Sequence, residues 1–479
     1  MLTLINTNRM TPPIGPLGLE YVAGAARAAG IKVDVVDLCL ADDPAAALKN
    51  YFASSQPRLV GLSFRNVDDC FWPRADWFLP KLAETVRELR SMTDAPIVLG
   101  GVGFSIFPER IVEYVGADFG IRGDGEQATV ALLDELKGTR SFDRVGGLIR
   151  REDGRIVANR PLWPAPLSLP TKRDAIDNLA YFKAGGQCGL ETKRGCNRRC
   201  IYCADPLSKG ATIRPRDPAE VADEAEALLS QGIDVLHLCD SEFNVPDSHA
   251  LAVCEEFIRR ALGRRIRWYT YMAVVPFDAE LAGAMAGAGC VGIDFTGDTA
   301  CPSMLKAYRQ MHVKEDLASA VRLCRDNGIA AMIDLLLGGP GETPETVAET
   351  IEFIRQIAPD CAGAPVGVRV YPCTEMARIV EAEGPPEDNP NIHRKYDGPV
   401  DLLKPTFYIS RTLGPNPARL VNDLIAGDAR FFGPLEEADA AEQAVPTDHN
   451  YNENVALAEA IRQGARGAYW NILRNLRDK

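Results

Sequence analysis

Short apolar runs alternate with longer amphipathic stretches along the first 140 residues. Each apolar run is continuous, as in strands buried on both faces of a parallel sheet, and the runs are 2–5, 32–37, 59–63, 96–99 and 119–121. The stretches between them have helical spacing: 17–29, 45–52, 78–90 and 126–136. This alternation predicts βαβ units and therefore an open, doubly wound, Rossmann-like α/β sheet.

Glycines and polar residues follow several of these predicted strands. Ligands of such sheets bind beyond the carboxyl ends of the strands, and glycines there let backbone amides approach a ligand closely. The residues that we expect at this edge are Pro13, Gly15, Leu17, Ser63, Arg65, Asn66, Gly100, Gly101, Val102, Gly103, Phe104, Gly123 and Glu126. Tight turns alone would also explain the glycines. No G-x-G-x-x-G motif opens a helix, which disfavours a nicotinamide cofactor.

The rest of the chain divides into three further regions. Residues 141–187 predict a linker with a hairpin at 145–157, and prolines follow the hairpin. Residues 188–384 return to α/β alternation, and a proline-rich break then leads into a mainly helical region, 385–479, which we expect to cap the mouth of the second domain. The central region has predicted strands at 235–239, 267–272, 292–295, 331–337 and 367–372, and the last region has predicted helices at 417–426 and 454–476. With residues 1–140 as the first domain, this gives three domains and a linker.

Three cysteines with C-x3-C-x2-C spacing, Cys196, Cys200 and Cys203, open the central region. Their neighbours Asn197, Arg198 and Arg199 are unusual in a core, so three unrelated buried thiols are the weaker interpretation. Structural zinc needs four ligands, and the next Cys or His is His237. Three thiolates on an iron–sulfur cubane would leave one iron open for a substrate or cofactor. The spacing favours a cluster over zinc.

Composition limits the other functions. The net charge is −13, which argues against a duplex nucleic-acid partner because no basic excess is present to neutralise phosphates. A small-molecule or peptide substrate is therefore expected. Thirteen cysteines without framework spacing fit a reducing cytoplasm, and no apolar run is long enough to predict a membrane span.

The cysteine motif, with aromatic Tyr202 before the last cysteine, resembles the signature of the radical S-adenosylmethionine (SAM) enzymes. This resemblance implies a partial (β/α)6 barrel and a [4Fe–4S] cluster held by the three cysteines, whose open iron chelates SAM. It also implies cofactor contacts from Tyr202 and from residues that follow the barrel strands: Asp240, Ser241, Glu242, Asp298 and Gly339. Arg309, further along the chain, is the candidate for the SAM carboxylate, and a solvated helix charge is the alternative for it. Thr343, which follows the Gly-Gly-Pro-Gly-Glu turn, predicts a helix N-cap.

The amino-terminal pattern resembles the cobalamin-binding domain that precedes many radical SAM domains. The resemblance rests on Pro-Pro-x-Gly-x-Leu at 12–17, the glycine pair at 100–101 and Gly-Asp-Gly-Glu at 123–126. All five histidines lie after residue 236, so cobalamin would bind base-off without a histidine ligand. The resemblance places Arg65 beneath the corrin, where a fixed cation would disfavour a lower axial ligand. An ion pair of Arg65 with Asp68 or Asp69 is the alternative.

Together these resemblances imply a cobalamin-dependent radical SAM methyltransferase. Such an enzyme would transfer a methyl group from SAM, through methylcobalamin, to a weakly nucleophilic carbon or other atom of a small metabolite or peptide. An electron donor such as flavodoxin or ferredoxin is implied as well. An open path from SAM to cobalt requires the carboxyl ends of the two sheets to face each other. The alternatives are transfer of another SAM fragment, such as 3-amino-3-carboxypropyl, or a radical rearrangement or cyclisation, with or without cobalamin.

Overall fold

The computed structural model describes residues 1–436 and 450–477. The amino-terminal sheet consists of β1 (Leu2–Asn6), β2 (Val33–Asp37), β3 (Leu59–Ser63), β4 (Ile97–Gly100), β5 (Phe119–Ile121), β6 (Leu148–Glu152) and β7 (Arg155–Ala158). Its helices are α1 (Leu17–Ala28), α2 (Pro44–Phe52), α3 (Leu79–Arg90), α4 (Val102–Ile106), α5 (Pro108–Val115) and α6 (Gly125–Lys137). The strand order is β2-β1-β3-β4-β5-β6-β7, and the first five strands are parallel.

The five predicted parallel strands are confirmed. Alternate residues face two different cores: Leu4 and Val98 pack on one side of the sheet, and Ile5 and Leu99 pack on the other. Burial on both faces explains why these strands are continuous apolar runs. Helices α4 and α5 were not predicted.

The predicted hairpin forms, and it extends the amino-terminal sheet. Strand β6 pairs antiparallel with β5, and β7 pairs with β6. Asp153 and Gly154 make the turn with φ of 47° and 77°. The prolines after the hairpin then lead toward the second sheet.

The remaining strands are β8 (Cys188–Leu190), β9 (Lys193–Arg194), β10 (Arg214–Pro215), β11 (Val235–Leu238), β12 (Arg267–Met272), β13 (Cys290–Asp298), β14 (Ala330–Leu335), β15 (Cys361–Gly363), β16 (Val368–Arg369), β17 (Ile392–Arg394), β18 (Thr406–Tyr408) and β19 (Phe431–Phe432). Seven of them form a parallel partial barrel in the order β8-β11-β12-β13-β14-β15-β19. The others form the pair β9-β10 and a small antiparallel sheet, β16-β18-β17.

The helices after the hairpin are α7 (Asn178–Gly185), α8 (Asp205–Lys209), α9 (Pro218–Ser230), α10 (Asp247–Arg259), α11 (Ala279–Gly287), α12 (Pro302–Tyr308), α13 (Lys314–Asp326), α14 (Pro344–Ile357), α15 (Glu375–Ala382), α16 (Pro417–Ile425), α17 (Val455–Arg462) and α18 (Tyr469–Arg477). Short 3-10 helices lie at Phe142–Arg144, Leu262–Arg264 and Arg411–Leu413. Thr343 caps α14 through a hydrogen bond from the amide of Thr346, as predicted.

Two local predictions were wrong. The sixth barrel strand is β15, whereas the predicted strand at 367–372 contributes β16 to the small sheet. β15 has only three small residues, so its sequence carries no strand signal. The helix predicted at 454–476 is two helices, α17 and α18, because Gly464 and Gly467 between them have positive φ.

The carboxyl-terminal segment completes the barrel. β19 adds its last strand, and α18 places Trp470 against Tyr269 of β12. Across residues 1–436 and 450–477, no helix has the length and apolar character that crossing a membrane requires.

Candidate functional site

The carboxyl ends of the two parallel sheets face each other across a cavity of about 370 Å³. In the amino-terminal sheet the strand order reverses between β1 and β3, which is the usual ligand site of an open α/β sheet. Of the residues predicted at this edge, the cavity is lined by Gly15, Leu17, Ser63, Arg65, Asn66, Gly100, Gly101, Val102, Gly123 and Glu126. The barrel side supplies Gly189, Glu191, Arg194, Ser208, Lys209 and Cys239, none of which was predicted to contact a ligand.

Two glycines after β4 allow close contact with the loop that follows β3. Gly101 has φ of 110°, and a Cβ there would lie 2.5 Å from the carbonyl oxygen of Phe64. A Cβ on Gly103 would lie 2.9 Å from the carbonyl oxygen of Arg65. Pro13, Gly103 and Phe104 are not among the described residues that line the cavity, and the ring of Phe104 instead packs over Gly120.

Arg65 lies two residues after the end of β3, is exposed, and lines the cavity. Within the described residues its guanidinium forms no ion pair, and its side-chain hydrogen bond goes to Oδ1 of Asn66 at 3.2 Å. The carboxylate of Asp68 pairs with Arg369 at 2.8 Å, and that of Asp69 accepts a hydrogen bond from Asn450. The alternative in which Arg65 pairs with Asp68 or Asp69 is therefore wrong for this structure.

Backbone hydrogen bonds hold the loop that carries the three cysteines. The amide of Cys196 donates to the carbonyl of Gly210 at 3.1 Å, and the amide of Cys203 donates to the carbonyl of Cys200. The amide of Met376 donates to the carbonyl of Ile201 at 2.8 Å. These bonds hold the loop against the barrel.

The chemistry of the three thiols fits a cluster. Burial raises the pKa of each thiol, that of Cys200 to about 12, so their thiolates need a metal for compensation. Among the described residues, no three His, Cys, Asp or Glu side chains converge as ligands of a single metal ion. In a cubane, each of the three cysteines would bind a different iron.

Asp240, Ser241 and Glu242 differ in their partners. Both oxygens of Asp240 accept hydrogen bonds from Thr192, and its carboxylate pairs with Lys193 at 2.8 Å. The hydroxyl of Ser241 donates to Asp205. Asp240 thereby anchors the strand segment that precedes the cysteine loop.

Only one carboxylate oxygen of Glu242 has a hydrogen-bond partner among the described residues. Thr296 donates to its Oε1 at 3.1 Å, and its buried Oε2 has no hydrogen-bond partner among the described residues. Burial raises its pKa to about 8, and its charge in turn raises the pKa of Cys196 and Cys200. An acceptor with no partner in the described part of the chain therefore acts on the thiols of Cys196 and Cys200.

Tyr202 and Asp298 connect the cysteine loop to β13. The hydroxyl of Tyr202 donates to Asp298 at 2.6 Å, and the side chain of Gln310 donates to Asp298 and to the Cys200 sulfur. Burial raises the pKa of Asp298 to about 7. Gln310 was not predicted, since a glutamine after a helix carries no motif.

Arg309 and Gly339 have partners within the protein. The guanidinium of Arg309 pairs with Glu375 at 2.9 Å. The amide of Gly339 donates to the hydroxyl of Tyr308 at 3.1 Å, and only glycine leaves room for that tyrosine ring.

The inner side of the barrel strands carries polar groups that were not predicted. The rings of His237 and Tyr271 lie 5.0 Å apart, and burial lowers the pKa of His237 to about 4. Burial and the neighbouring Asp334 raise the pKa of Asp294, whose Oδ1 is buried without a hydrogen-bond partner in the described chain. Cys239, two residues after His237, lines the cavity, so the inner side of β11 opens toward it. The only sequence signal was one aspartate within each of two apolar strands.

Comparison with known proteins gives two family matches. The family model described as the B12 binding domain matches residues 5–133, and that of the Radical SAM superfamily matches residues 190–354. The two matches fall on the two sheets whose edges form the cavity.

Individual relatives match nearly the whole chain. The tryptophan 2-C-methyltransferase of Streptomyces laurentii is 28% identical, over 98% of this chain and 95% of that protein. The structure of the radical SAM methyltransferase TsrM from Kitasatospora setae, with tryptophan substrate and a SAM analogue bound, has 31% identity and a TM-score of 0.93, covering 100% and 98% of the two chains. A second TsrM structure, with cobalamin and a [4Fe-4S] cluster bound, has a TM-score of 0.89 at 29% identity.

The matches cover both sheets and the cysteine loop, and the cofactors are therefore a [4Fe-4S] cluster, SAM and cobalamin. The chain belongs to the cobalamin-binding radical SAM methyltransferases.

Proposed function

We propose that the enzyme transfers the methyl group of SAM, through cobalamin, to a carbon of tryptophan or of a small molecule with a similar aromatic ring and amino group. The observation that carries this proposal is the polar interior of the barrel beside the cavity. His237 and Tyr271 provide an aromatic wall, and Asp294 provides a buried acceptor. The similarity to an enzyme whose structure contains tryptophan supports the same substrate class.

The acid pair in the barrel suits an amino group. Asp294 and Asp334 lie on adjacent strands and interact, which raises the pKa of Asp294. An ammonium ion placed beside them would replace the proton that such a pair retains. A carboxylate-only ligand would be repelled, so the pair selects for an amine.

We assign the cofactors to this chain's residues as follows. Cys196, Cys200 and Cys203 hold the cluster, and Glu242 with Ser241 is the best site for the amino group of SAM because Glu242 has the free oxygen. When bound, SAM supplies the methyl group, cobalamin carries it, and the cluster supplies an open iron. Tyr202, Asp240, Asp298, Arg309 and Gly339 act on this site mainly through the contacts that fix the surrounding loops.

The edge of the amino-terminal sheet holds the corrin. Arg65 and the cavity-lining loops would contact it, and Pro13, Gly103 and Phe104 would support those loops. With no histidine before residue 237, we propose base-off cobalamin without a histidine ligand. The fixed charge of Arg65 would disfavour water or another ligand below cobalt.

We further propose the division into residues 1–140, 141–187, 188–384 and 385–479, in which β6 and β7 of the second region extend the first sheet and β19 of the last region adds a strand to the barrel. We also propose a flavodoxin or ferredoxin as electron donor. The acidic net charge of −13 argues against a nucleic-acid partner. An oxygen-sensitive cluster and thirteen cysteines favour the cytoplasm.

Product mass tests this proposal against transfer of another SAM fragment or a rearrangement. The full chain, reconstituted without oxygen with iron, sulfide and hydroxocobalamin, is incubated with tryptophan and methyl-deuterated SAM. The proposal expects tryptophan that carries the deuterated methyl group on a ring carbon. A product that carries an aminocarboxypropyl group, or a rearranged product without the label, would overturn it. 5′-Deoxyadenosine among the products indicates radical transfer, and S-adenosylhomocysteine alone indicates polar transfer.

A further inference from the structure

A group of buried ion pairs joins the cobalamin side of the cavity to the cysteine loop. The guanidinium of Arg194 donates to both oxygens of Glu126, at 3.1 and 2.8 Å, and lies 3.3 Å from Asp124. Arg214 donates to both oxygens of Asp124. The side chains of Arg194 and Glu126 are 9% and 10% exposed, so solvent screens this pair weakly. We call Asp124, Glu126, Arg194 and Arg214 the bridging cluster.

The bridging cluster belongs to both cofactor sites. Asp124, Glu126 and Arg194 line the cavity at the edge of the amino-terminal sheet. Arg194 is also the last residue of β9, and only Gly195 separates it from Cys196. Arg194 and Arg214 are directly opposite each other in the β9-β10 pair. A change at the cavity wall therefore reaches the first cysteine through two peptide units.

Trp163, in the linker after the hairpin, packs against the bridging cluster and the loops beside it. Its ring packs against Gly123 and Gly210, where a Cβ would lie only 2.8 and 3.1 Å from ring atoms. Arg214 lies over the same ring at 5.2 Å. Since Gly210 also accepts the hydrogen bond from the Cys196 amide, the tryptophan connects the turn before α6 to the segment that follows the cysteine loop.

We propose that Glu126 and Arg194 are positioning residues that couple cobalamin binding to the geometry of the cysteine loop. A corrin in the cavity displaces water from the exposed edges of these side chains, and the attraction between opposite charges grows as the local dielectric constant falls. The pair then holds Arg194, and with it Cys196, more firmly. Two sites linked in this way change each other's affinity by the same factor, so an assembled iron–sulfur cluster also favours cobalamin binding.

The test measures how fast an iron chelator removes the cluster. Full-length protein with a reconstituted cluster is mixed with bathophenanthroline disulfonate, with and without saturating hydroxocobalamin. In the wild type, cobalamin should slow iron removal by about tenfold, within the usual range of coupling between sites. In Glu126→Gln, which keeps the side-chain volume but loses the charge, the two rates should be nearly equal.

Asp68→Asn is the matched control. Asp68 and Arg369 also form a buried ion pair, at 2.8 Å, between the loop after β3 and strand β16, but neither residue lines the cavity. This variant should keep the wild-type rate ratio, which separates positioning from a general loss of stability.

Arg194→Lys is the second variant, because it keeps the charge but not the two-pronged contact. Its ratio of the iron-removal rates without and with cobalamin should lie between those of the wild type and Glu126→Gln. If the absorption spectrum shows that Glu126→Gln binds no cobalamin, Arg194→Lys takes its place in the test. A wild-type ratio of one, or the wild-type ratio in Glu126→Gln, would overturn the proposal. So would a loss of the effect in Asp68→Asn equal to that in Glu126→Gln.

Discussion

The hydroxyl of Tyr202 donates a 2.6 Å hydrogen bond to Asp298, so the loop that carries the three cysteines is tied to the end of β13. Asp298 has φ of 55°, and Gln310 donates to the same carboxylate oxygen. The strand end and the loop thus hold each other in one arrangement. Groups that orient metal ligands in this way are as important as many of the ligands themselves.

Tyr202→Phe should therefore lower methyl transfer by about 10- to 100-fold while most of the iron remains bound. The physical reason is that the loop loses its link to Asp298 but keeps all three thiols. Iron content and the initial rate of product formation check this. Tyr408→Phe is the control, because Tyr408 is a buried tyrosine that donates to Glu383 at 2.8 Å in the small sheet. Equal rates in the two variants would contradict the assigned role.

Glu242 should reduce the stability of the cluster-free protein at high pH. Burial raises its pKa from 4.5 to about 8, so between these values the folded state binds more protons than the unfolded state. The contribution of Glu242 to the free energy of unfolding therefore falls as pH rises through this window.

Glu242→Gln removes the destabilisation that comes from ionising this buried carboxyl group. The cluster-free variant should be more stable than the wild type by about 1–3 kcal/mol near pH 8.5, and the advantage should shrink toward pH 5. Urea unfolding at the two pH values measures the difference, with exposed Glu109→Gln as control. A difference in unfolding free energy between variant and wild type that does not change with pH would contradict the raised pKa of Glu242. In the loaded enzyme, weaker SAM binding with an unchanged Mössbauer spectrum would support the amino-group role, whereas a changed spectrum would place Glu242 on the iron.

Arg65→Gln should lower methyl transfer by about tenfold or more, and Arg65→Lys should lower it less. The reason is the loss of a fixed positive charge that forms no ion pair within the described residues. Bound hydroxocobalamin, reduced to cob(II)alamin, should then show an added axial ligand in its electron paramagnetic resonance spectrum. Arg87→Gln, an exposed arginine on α3, serves as the control. An unchanged spectrum and rate in Arg65→Gln would exclude a role at cobalt.

Asp294→Asn should raise the KM for tryptophan by about 10- to 100-fold, because a charge-assisted hydrogen bond to the amino group is lost. Binding of indole-3-propionate, which has the ring but no amino group, should change little or improve. Competition between the two compounds measures both effects. Equal losses for both would mean that Asp294 only supports the barrel.

The sequence predicted the parts of the structure that depend on local patterns. Strands β1 to β5 are apolar runs, several of them followed by glycines or polar residues, and the three cysteines lie within eight residues, so both could be identified directly. β15 and β19 escaped prediction because three and two residues carry no periodicity. Their place in the sheet comes from tertiary packing.

Side-chain partners at long range could not be predicted. Arg194 and Glu126 are 68 residues apart, and although Glu126 was predicted at the edge of the first sheet, nothing in the sequence pairs it with Arg194. The same holds for Asp294 and Asp334, which meet only because β13 and β14 are neighbours. Asp240, expected to contact SAM, is occupied by Thr192 and Lys193, and only Glu242 of that segment retains an oxygen without a partner among the described residues.

The most direct test of the account follows the labelled methyl group of SAM through single variants of the three cysteines. In the reconstituted wild type, the label should appear in tryptophan or a related small molecule. In Cys196→Ser, Cys200→Ser and Cys203→Ser, iron content and labelled product should both fall, while the cobalamin cavity still binds hydroxocobalamin, although more weakly than in the protein with an assembled iron–sulfur cluster. Labelled product at the wild-type rate, from a variant whose iron content is also unchanged, would contradict the assignment of the cluster and of the reaction.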